Sequence, residues 1–308
     1  MDKDSKIYIA GKSGLVGSAI YRELINQGYR NIVYRSSKTL DLRNKLEVDN
    51  FFRIEKPEYV FMCAGVVGGI KYNNTNKVKF LYDNMVMGMN VINASHTFKV
   101  KKLLYMGSSC IYPRNTSVPI KESQLLSGYL EKTNEAYALA KIANIKLCEY
   151  YKQEYGDNFI SCIPTNVYGI GDTFDEIKSH VIPALLMRIH KAKINRDRVV
   201  EVWGTGNSLR EFIYSDDLAR ACILIMKEYN DISPINIGTG REISIKDLAY
   251  KIKDIVGYEG ELVFNANELE GVYRKVLDIS KLNKLGWKAK VDLDMGLREV
   301  YNWYITNR

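Results

Sequence analysis

The chain has 308 residues, of which 46% are hydrophobic, 26% charged and 11% aromatic, with six prolines and a formal charge of +8. That balance excludes a disordered chain and leaves room for one large core, or for a core domain with a smaller companion. No apolar run approaches the roughly 18 residues of a membrane-spanning helix. The start, Met1-Asp2-Lys3-Asp4-Ser5-Lys6, leads into Ile7-Tyr8-Ile9-Ala10 instead of the apolar stretch of a leader, so a cytoplasmic protein is expected, with no membrane partner. Lysine and arginine are spread along the chain and are densest over 187–198. No nucleic-acid motif accompanies them, so the charge is read as solvated faces plus contacts to small anionic ligands. The five cysteines, Cys63, Cys110, Cys148, Cys162 and Cys222, have neither zinc-site nor disulfide-framework spacing, and no metal is expected.

In chain order, short apolar runs alternate with longer amphipathic stretches. Strands are expected at 6–10, 32–35, 59–63, 102–106 and 159–163, and helices at 14–27, 45–55, 78–97 and 133–155. Near-continuous apolar strands alternating with helices predict an α/β fold built on a doubly wound parallel sheet. After Pro164 the rhythm changes: a helix at 181–190 precedes a strand at 199–203, residues 210–226 read as a return to the sheet domain, and 244–303 mixes helices with short strands. No linker separates the parts. The boundaries expected are 1–165, with about 211–240 returning to it, for the dinucleotide-binding domain. Residues 166–210 and 241–308 then form a smaller, interleaved α/β substrate domain.

The first strand runs into Gly11-Lys12-Ser13-Gly14-Leu15-Val16-Gly17. Glycines three apart, between a strand and a helix, permit a tight turn, close approach to a pyrophosphate and close helix–sheet packing, and the helix start attracts an anion. Where an NAD enzyme usually places an acid after its second strand, this chain has Tyr34-Arg35-Ser36-Ser37-Lys38, with no acid before Asp41. Arg35 and Lys38 suit a 2′-phosphate, with Ser36 or Ser37 as a further donor, which points to NADP(H).

The fourth run ends in Gly107-Ser108-Ser109-Cys110-Ile111-Tyr112-Pro113, and Tyr137-Ala138-Leu139-Ala140-Lys141 follows inside a helix. Four residues apart, Tyr137 and Lys141 share one helix face. The Lys141 ammonium is expected to lower the Tyr137 pKa, so that the phenol delivers a proton to a developing alkoxide, with a hydroxyl from Ser108 or Ser109 holding the substrate oxygen. One such pair means little in a chain with 22 tyrosines; it gains weight from the glycine loop and the serine turn in the right order.

These features resemble the extended short-chain dehydrogenase/reductases, whose fold is of the Rossmann type, and within them the GDP-L-fucose synthase family. Matching segments run nearly end to end: Val67-Gly68-Gly69-Ile70 with Asn73-Asn74-Thr75, 107–113, 133–135, 140–149, Pro164-Thr165-Asn166, 179–186, Trp203-Gly204, Arg210-Glu211-Phe212 and 236–240. The resemblance implies a reductase set of Ser108, Tyr137 and Lys141, with Cys110 and His180 as epimerisation base and acid. It implies cofactor contacts from Gly11, Ser13, Gly14, Leu15, Val16, Gly17, Arg35, Ser36, Lys38, Asp41, Leu42, Ala64, Gly65, Met106, Gly107, Tyr137, Lys141, Pro164, Asn166, Val167 and His180. For a GDP-linked keto-sugar it implies Ser109, Cys110, Asn166, Val181, Arg188, Val202, Trp203, Arg210 and Arg274, with Lys275 as the alternative basic residue. In a 4-keto sugar both C3 and C5 lie alpha to the carbonyl, so one thiol/imidazole pair serves both before hydride reaches C4. A homodimer through 78–97 and 133–155 is also implied.

Departures from the family pattern fall at Val66, where a lysine is usual, at 121–127, and at 269–275, where a turn before Arg274 is missing. They point to a related substrate, such as a GDP-linked 4-keto-heptose that is reduced after a separate epimerase. A non-catalytic NADP(H) sensor on the same fold is the reading from another class; the Ser108/Tyr137/Lys141 set argues against it, since a sensor needs no proton donor.

Overall fold

In the computed structural model, which describes residues 1–268 and 271–307, the apolar runs at 7–10, 59–62, 102–106 and 159–164 become strands buried on both faces, while the run at 32–33 becomes a half-buried edge strand. The first half comprises β1 (Ile7–Ala10), α1 (Leu15–Asn26), β2 (Ile32–Val33), α2 (Lys45–Glu55), β3 (Tyr59–Met62), α3 (Ile70–Thr75), α4 (Lys77–Thr97), β4 (Lys102–Met106), α5 (Glu135–Tyr155) and β5 (Phe159–Pro164). There follow β6 (Asn166–Tyr168), α6 (Val181–Asn195), β7 (Val199–Trp203), β8 (Leu209–Tyr214), α7 (Ser215–Glu228) and β9 (Ile235–Ile237). The chain closes with β10 (Glu242–Ser244), α8 (Ile245–Val256), β11 (Glu261–Asn265), β12 (Arg274–Lys275), α9 (Ser280–Lys284) and α10 (Leu293–Thr306).

The main sheet has the order β2-β1-β3-β4-β5-β9, every pairing parallel. This is the doubly wound, Rossmann-type architecture. The order turns back at β1, so the crevice beyond the carboxyl ends of β1 and β3 is where a ligand is expected. One core lies beneath α1 and α7, a second beneath α2, α4 and α5. At the α4–α5 crossing, a Cβ on Gly88 would lie 2.1 Å from the Asn144 amide. Asn144 in turn donates to the carbonyl of Asn84 at 3.1 Å.

The later residues build a smaller sheet around β8, which pairs with β6 and β12 in parallel and β10 antiparallel, and a two-stranded ribbon of β7 with β11. A third core joins α6, α8 and α10 to these strands. Three local expectations change. β2 stops at Val33, which leaves Tyr34 and Arg35 beyond the strand. α6 continues past His190 to Asn195, and left-handed Arg196 (φ 59°) ends it. Residues 210–226 return only in part: β8 founds its own sheet, while α7 packs against α1 and β9 closes the edge of the main sheet beside β5. Leu269 and Glu270, in the altered stretch 269–275, lie outside the described residues. Among the described residues no helix is long and apolar enough to cross a membrane.

Candidate active site

The glycine loop is shaped by what a side chain would strike. Gly11 has φ +85°, and a Cβ there would come within 2.7 Å of the Ala64 backbone. A Cβ on Gly17 would lie 2.2 Å from the Gly11 carbonyl oxygen, so only glycine lets α1 start this close to β1. Gly14 precedes α1 with no side-chain cap, and the first turn carries no acidic residue. The result is an uncapped helix start over a backbone cradle, which fits a dinucleotide pyrophosphate. Ser13 is exposed at this edge, with Leu15, Val16, Ala64 and Gly65 half-buried around it.

The ribose end differs from the expectation. Arg35 is held by Glu55 at 2.5 Å, donates to the Tyr34 carbonyl at 2.8 Å and lies over the Phe51 ring at 5.5 Å. Ser36 pairs its hydroxyl with Thr39 at 3.2 Å, while Lys38 is exposed. Asp41 is bound by Arg43 at 2.8 Å, and the hydrogen bonds from Arg43 hold its carboxyl below the ordinary value. The Leu42 side chain belongs to the second core, leaving its backbone for any ligand contact.

At the end of β4 a Cβ on Gly107 would meet the Cys162 carbonyl oxygen at 2.7 Å, so glycine keeps β4 and β5 together there. Ser108 then caps a short turn, its Oγ accepting from the Cys110 amide at 3.3 Å, and buried Ser109 opens that turn. Ser108 also faces Tyr137, near the start of α5, closely enough to draw its phenol pKa down a little. One turn on, Lys141 is buried, donating to the Met106 carbonyl at 2.8 Å beside the rings of Tyr105 (5.0 Å) and Tyr137 (5.7 Å).

The expected pKa relation is reversed. Burial pushes the Tyr137 phenol above its ordinary value, and charge at Cys110 pushes the same way, against the smaller pull of Ser108. Lys141 is itself pushed down to about 8 by desolvation, so its charge is costly to keep where it was expected to act. Lys275, on β12, reaches Cys110 Sγ at 3.7 Å. Arg274 points the other way along the strand, where the exposed guanidinium is clamped by Glu242 at 2.8–3.0 Å. Of the two basic candidates it is therefore Lys275 that enters the site.

Trp203 collects cations: Arg188 lies 4.8 Å and Lys71 5.4 Å from its ring centroid. Arg188 donates to the Glu201 carbonyl at 2.8 Å, and Arg210 to the Leu209 carbonyl at 2.9 Å. Val202 is 1% exposed in the third core, so its side chain faces away from any substrate. Asn166 donates to the Glu211 carbonyl at 2.8 Å, with Pro164 buried and Val167 half-buried beside it. His180 precedes α6, with Val181 as the first helical residue. It remains open to solvent yet closely surrounded, and desolvation holds its imidazole below the ordinary value. The backbone before it packs on the Gly68-Gly69 turn, where a Cβ on Gly69 would strike the Ser179 carbonyl oxygen at 2.5 Å. Lys275 was one of two basic candidates in sequence, whereas Lys12 and Lys71 were not singled out: each is a lysine beside a motif, and only the fold shows what it faces.

A family model described as the NAD dependent epimerase/dehydratase family matches residues 7–238. GDP-L-fucose synthase 1 of Arabidopsis thaliana is 48% identical over 99% of this chain and 95% of its own length. GDP-L-fucose synthase of Escherichia coli is 44% identical over 98% and 97%. Among solved structures, a GDP-mannoheptose C4 reductase from Campylobacter jejuni with NADP bound is 40% identical, covers 99% of both chains and superposes with a TM-score of 0.90.

Proposed function

The chain belongs to the NAD dependent epimerase/dehydratase family, and on that premise we propose that it reduces the 4-keto group of a GDP-linked 4-keto-6-deoxy sugar with NADPH, after inverting C3 and C5, as a GDP-L-fucose synthase does. The observation that carries the reading is the meeting of Ser108, Cys110, Tyr137 and Lys141 at the carboxyl end of β4, in a chain matched over its length to such synthases.

NADPH supplies hydride when bound, and the glycine cradle with the uncapped start of α1 holds its pyrophosphate. Ser108 and Tyr137 hold the ketone oxygen, and Tyr137 gives it the proton. Before that, Cys110 takes the proton from C3 or C5 as the C–H electron pair moves into the enolate, and His180 returns a proton on the opposite face. Burial keeps the Tyr137 phenol protonated and so available as the donor to the developing alkoxide. Lys275 donates to the Cys110 sulfur at 3.7 Å and so positions the base, while Arg188, Trp203 and Arg210 take the GDP moiety. Residues 1–165 with α7 and β9 form the cofactor part, 166–214 and 241–308 the substrate part, and the chain acts as a homodimer in the cytoplasm.

The deciding experiment follows NADPH oxidation with GDP-4-keto-6-deoxy-mannose in D₂O. Turnover with deuterium at C3 and C5 is expected; Tyr137→Phe abolishes oxidation, and Cys110→Ser loses the label while oxidation persists. A wild-type protein inert toward every GDP-4-keto sugar refutes the reading. Oxidation without label supports the second reading, a reductase for a GDP-heptose epimerised elsewhere, which the likeness to a GDP-mannoheptose C4 reductase favours.

A further inference from the structure

We propose that Lys12, rather than Arg35, is the cation that reads the 2′-phosphate and selects NADP(H) over NAD(H); this rests on the cofactor reading above. Lys12 lies between the first two glycines of the loop, and its ammonium stands 4.6 Å from the Tyr21 ring centroid and 4.8 Å from that of Tyr34. Tyr21 projects from α1 and Tyr34 lies just past β2, so Lys12 bridges the pyrophosphate loop and the strand end where the adenosine ribose is expected. The two rings meet edge to face at 5.7 Å and form a platform for the ammonium. Ring faces attract a cation without neutralising it, and no carboxylate pairs with Lys12 among the described residues. Its three N–H donors are left for an anion.

Arg35 offers the opposite case. Its guanidinium is engaged by Glu55, by the Tyr34 carbonyl and by the Phe51 ring. To reach a phosphate it would have to leave Glu55 with only Lys6, at 3.5 Å, as a cationic partner. A bidentate donor already facing a half-buried carboxylate gains little by exchanging it for another anion. Lys12 has no such partner to give up.

The test measures binding of NADPH and NADH to the full-length protein by nicotinamide fluorescence, without sugar substrate, for wild type, Lys12→Met, Lys12→Arg and Arg35→Met. Lys12→Met is expected to weaken NADPH about 10- to 100-fold while NADH stays within about twofold, the loss of one charged hydrogen-bond donor to phosphate. Lys12→Arg keeps most of the NADPH preference, and Arg35→Met costs less than Lys12→Met. The proposal is overturned if Lys12→Met retains the wild-type preference, if it weakens both coenzymes equally, or if Arg35→Met removes the preference and Lys12→Met does not. A wild-type protein with no preference for NADPH overturns the cofactor reading itself, an outcome distinct from all three.

Discussion

Lys141 keeps a charge in the protein interior with one carbonyl partner, and the cost is large enough to measure. The interval from 10.5 down to about 8 corresponds to roughly 3 kcal/mol at neutral pH. Between those values the unfolded chain holds the proton that the folded chain releases. The penalty is therefore complete below about 8 and disappears as pH rises through 10.5. Lys141→Met should raise stability at pH 7 by about 1–2 kcal/mol, after allowing about 1 kcal/mol for the Met106 carbonyl left without its donor. Calorimetry at pH 7 and pH 10 checks it: the melting temperature of the variant exceeds that of wild type by a few degrees at pH 7, and the gap narrows at pH 10. NADPH oxidation falls at least about a hundredfold. A lower melting temperature at pH 7 would mean that the hydrogen bond outweighs the desolvation. The pairing of Lys141 with Tyr137 was legible from a spacing of four residues. The direction of the Tyr137 shift was not, because part of the burial that raises it comes from Phe80 on α4. The choice between Arg274 and Lys275 was hidden likewise, since adjacent residues on a strand face opposite ways and only Glu242 reveals which one is spent.

Among the elements, β8 shows how one buried carboxylate positions several loops. Glu211 is fully buried, and its oxygens accept from the amides of Thr239 at 2.6 Å, Gly240 at 2.7 Å and Leu277 at 2.9 Å. Two of these donors follow β9 and the third follows β12, so Glu211 ties the main sheet edge to the strand that presents Lys275 to Cys110. A Cβ on Gly238 would lie 2.3 Å from the carboxylate, which accounts for the glycine at that position. Glu211→Ala should cost about 2–3 kcal/mol, because the buried Leu277 N–H loses its acceptor and the part-buried amides of Thr239 and Gly240 lose theirs. Glu211→Gln should cost less, since its one carbonyl oxygen still serves part of the set. Urea unfolding of both variants gives the comparison, and equal midpoints for Glu211→Ala and wild type would remove the anchor from this account. The run Arg210-Glu211-Phe212 and the glycines at 238 and 240 were visible in sequence, but their shared purpose was not. β9, β10 and β12 have three, three and two residues, too few for a two-residue periodicity to register. The parallel strands β1, β3, β4 and β5 were legible because each is a continuous apolar run with a helix pattern after it.

For the whole molecule the open question is what covers the outer faces of α4 and α5. Their inner faces are used where Gly88 admits Asn144. On the outside of α4, Val78, Tyr82 and Met89 are exposed; on α5, Leu139 and Tyr150 are. Positions 78, 82 and 89 are separated by four and seven residues, and 139 and 150 by eleven, so each set forms one stripe along its helix. These large apolar side chains on paired helices form a patch of the kind that marks a partner surface. A second copy is the occupant proposed here, because the same patch on both copies lets an isologous contact close on itself. The wild-type protein should therefore sediment at about twice its 35.3 kDa mass. Placing charge on the stripe with Tyr82→Glu and Met89→Glu should return the monomer with unchanged far-ultraviolet circular dichroism, since neither side chain is needed inside its own subunit. The cofactor cradle lies at the carboxyl ends of β1 and β3, and on α5 Lys141 is buried where Leu139 and Tyr150 are exposed, so the monomeric variant should still bind NADPH with an affinity close to wild type. Sedimentation of the wild-type protein as a monomer would rule out the dimer. Loss of NADPH binding in the double variant would mean instead that pairing of the helices is needed to hold α5, and Tyr137 with it, in place.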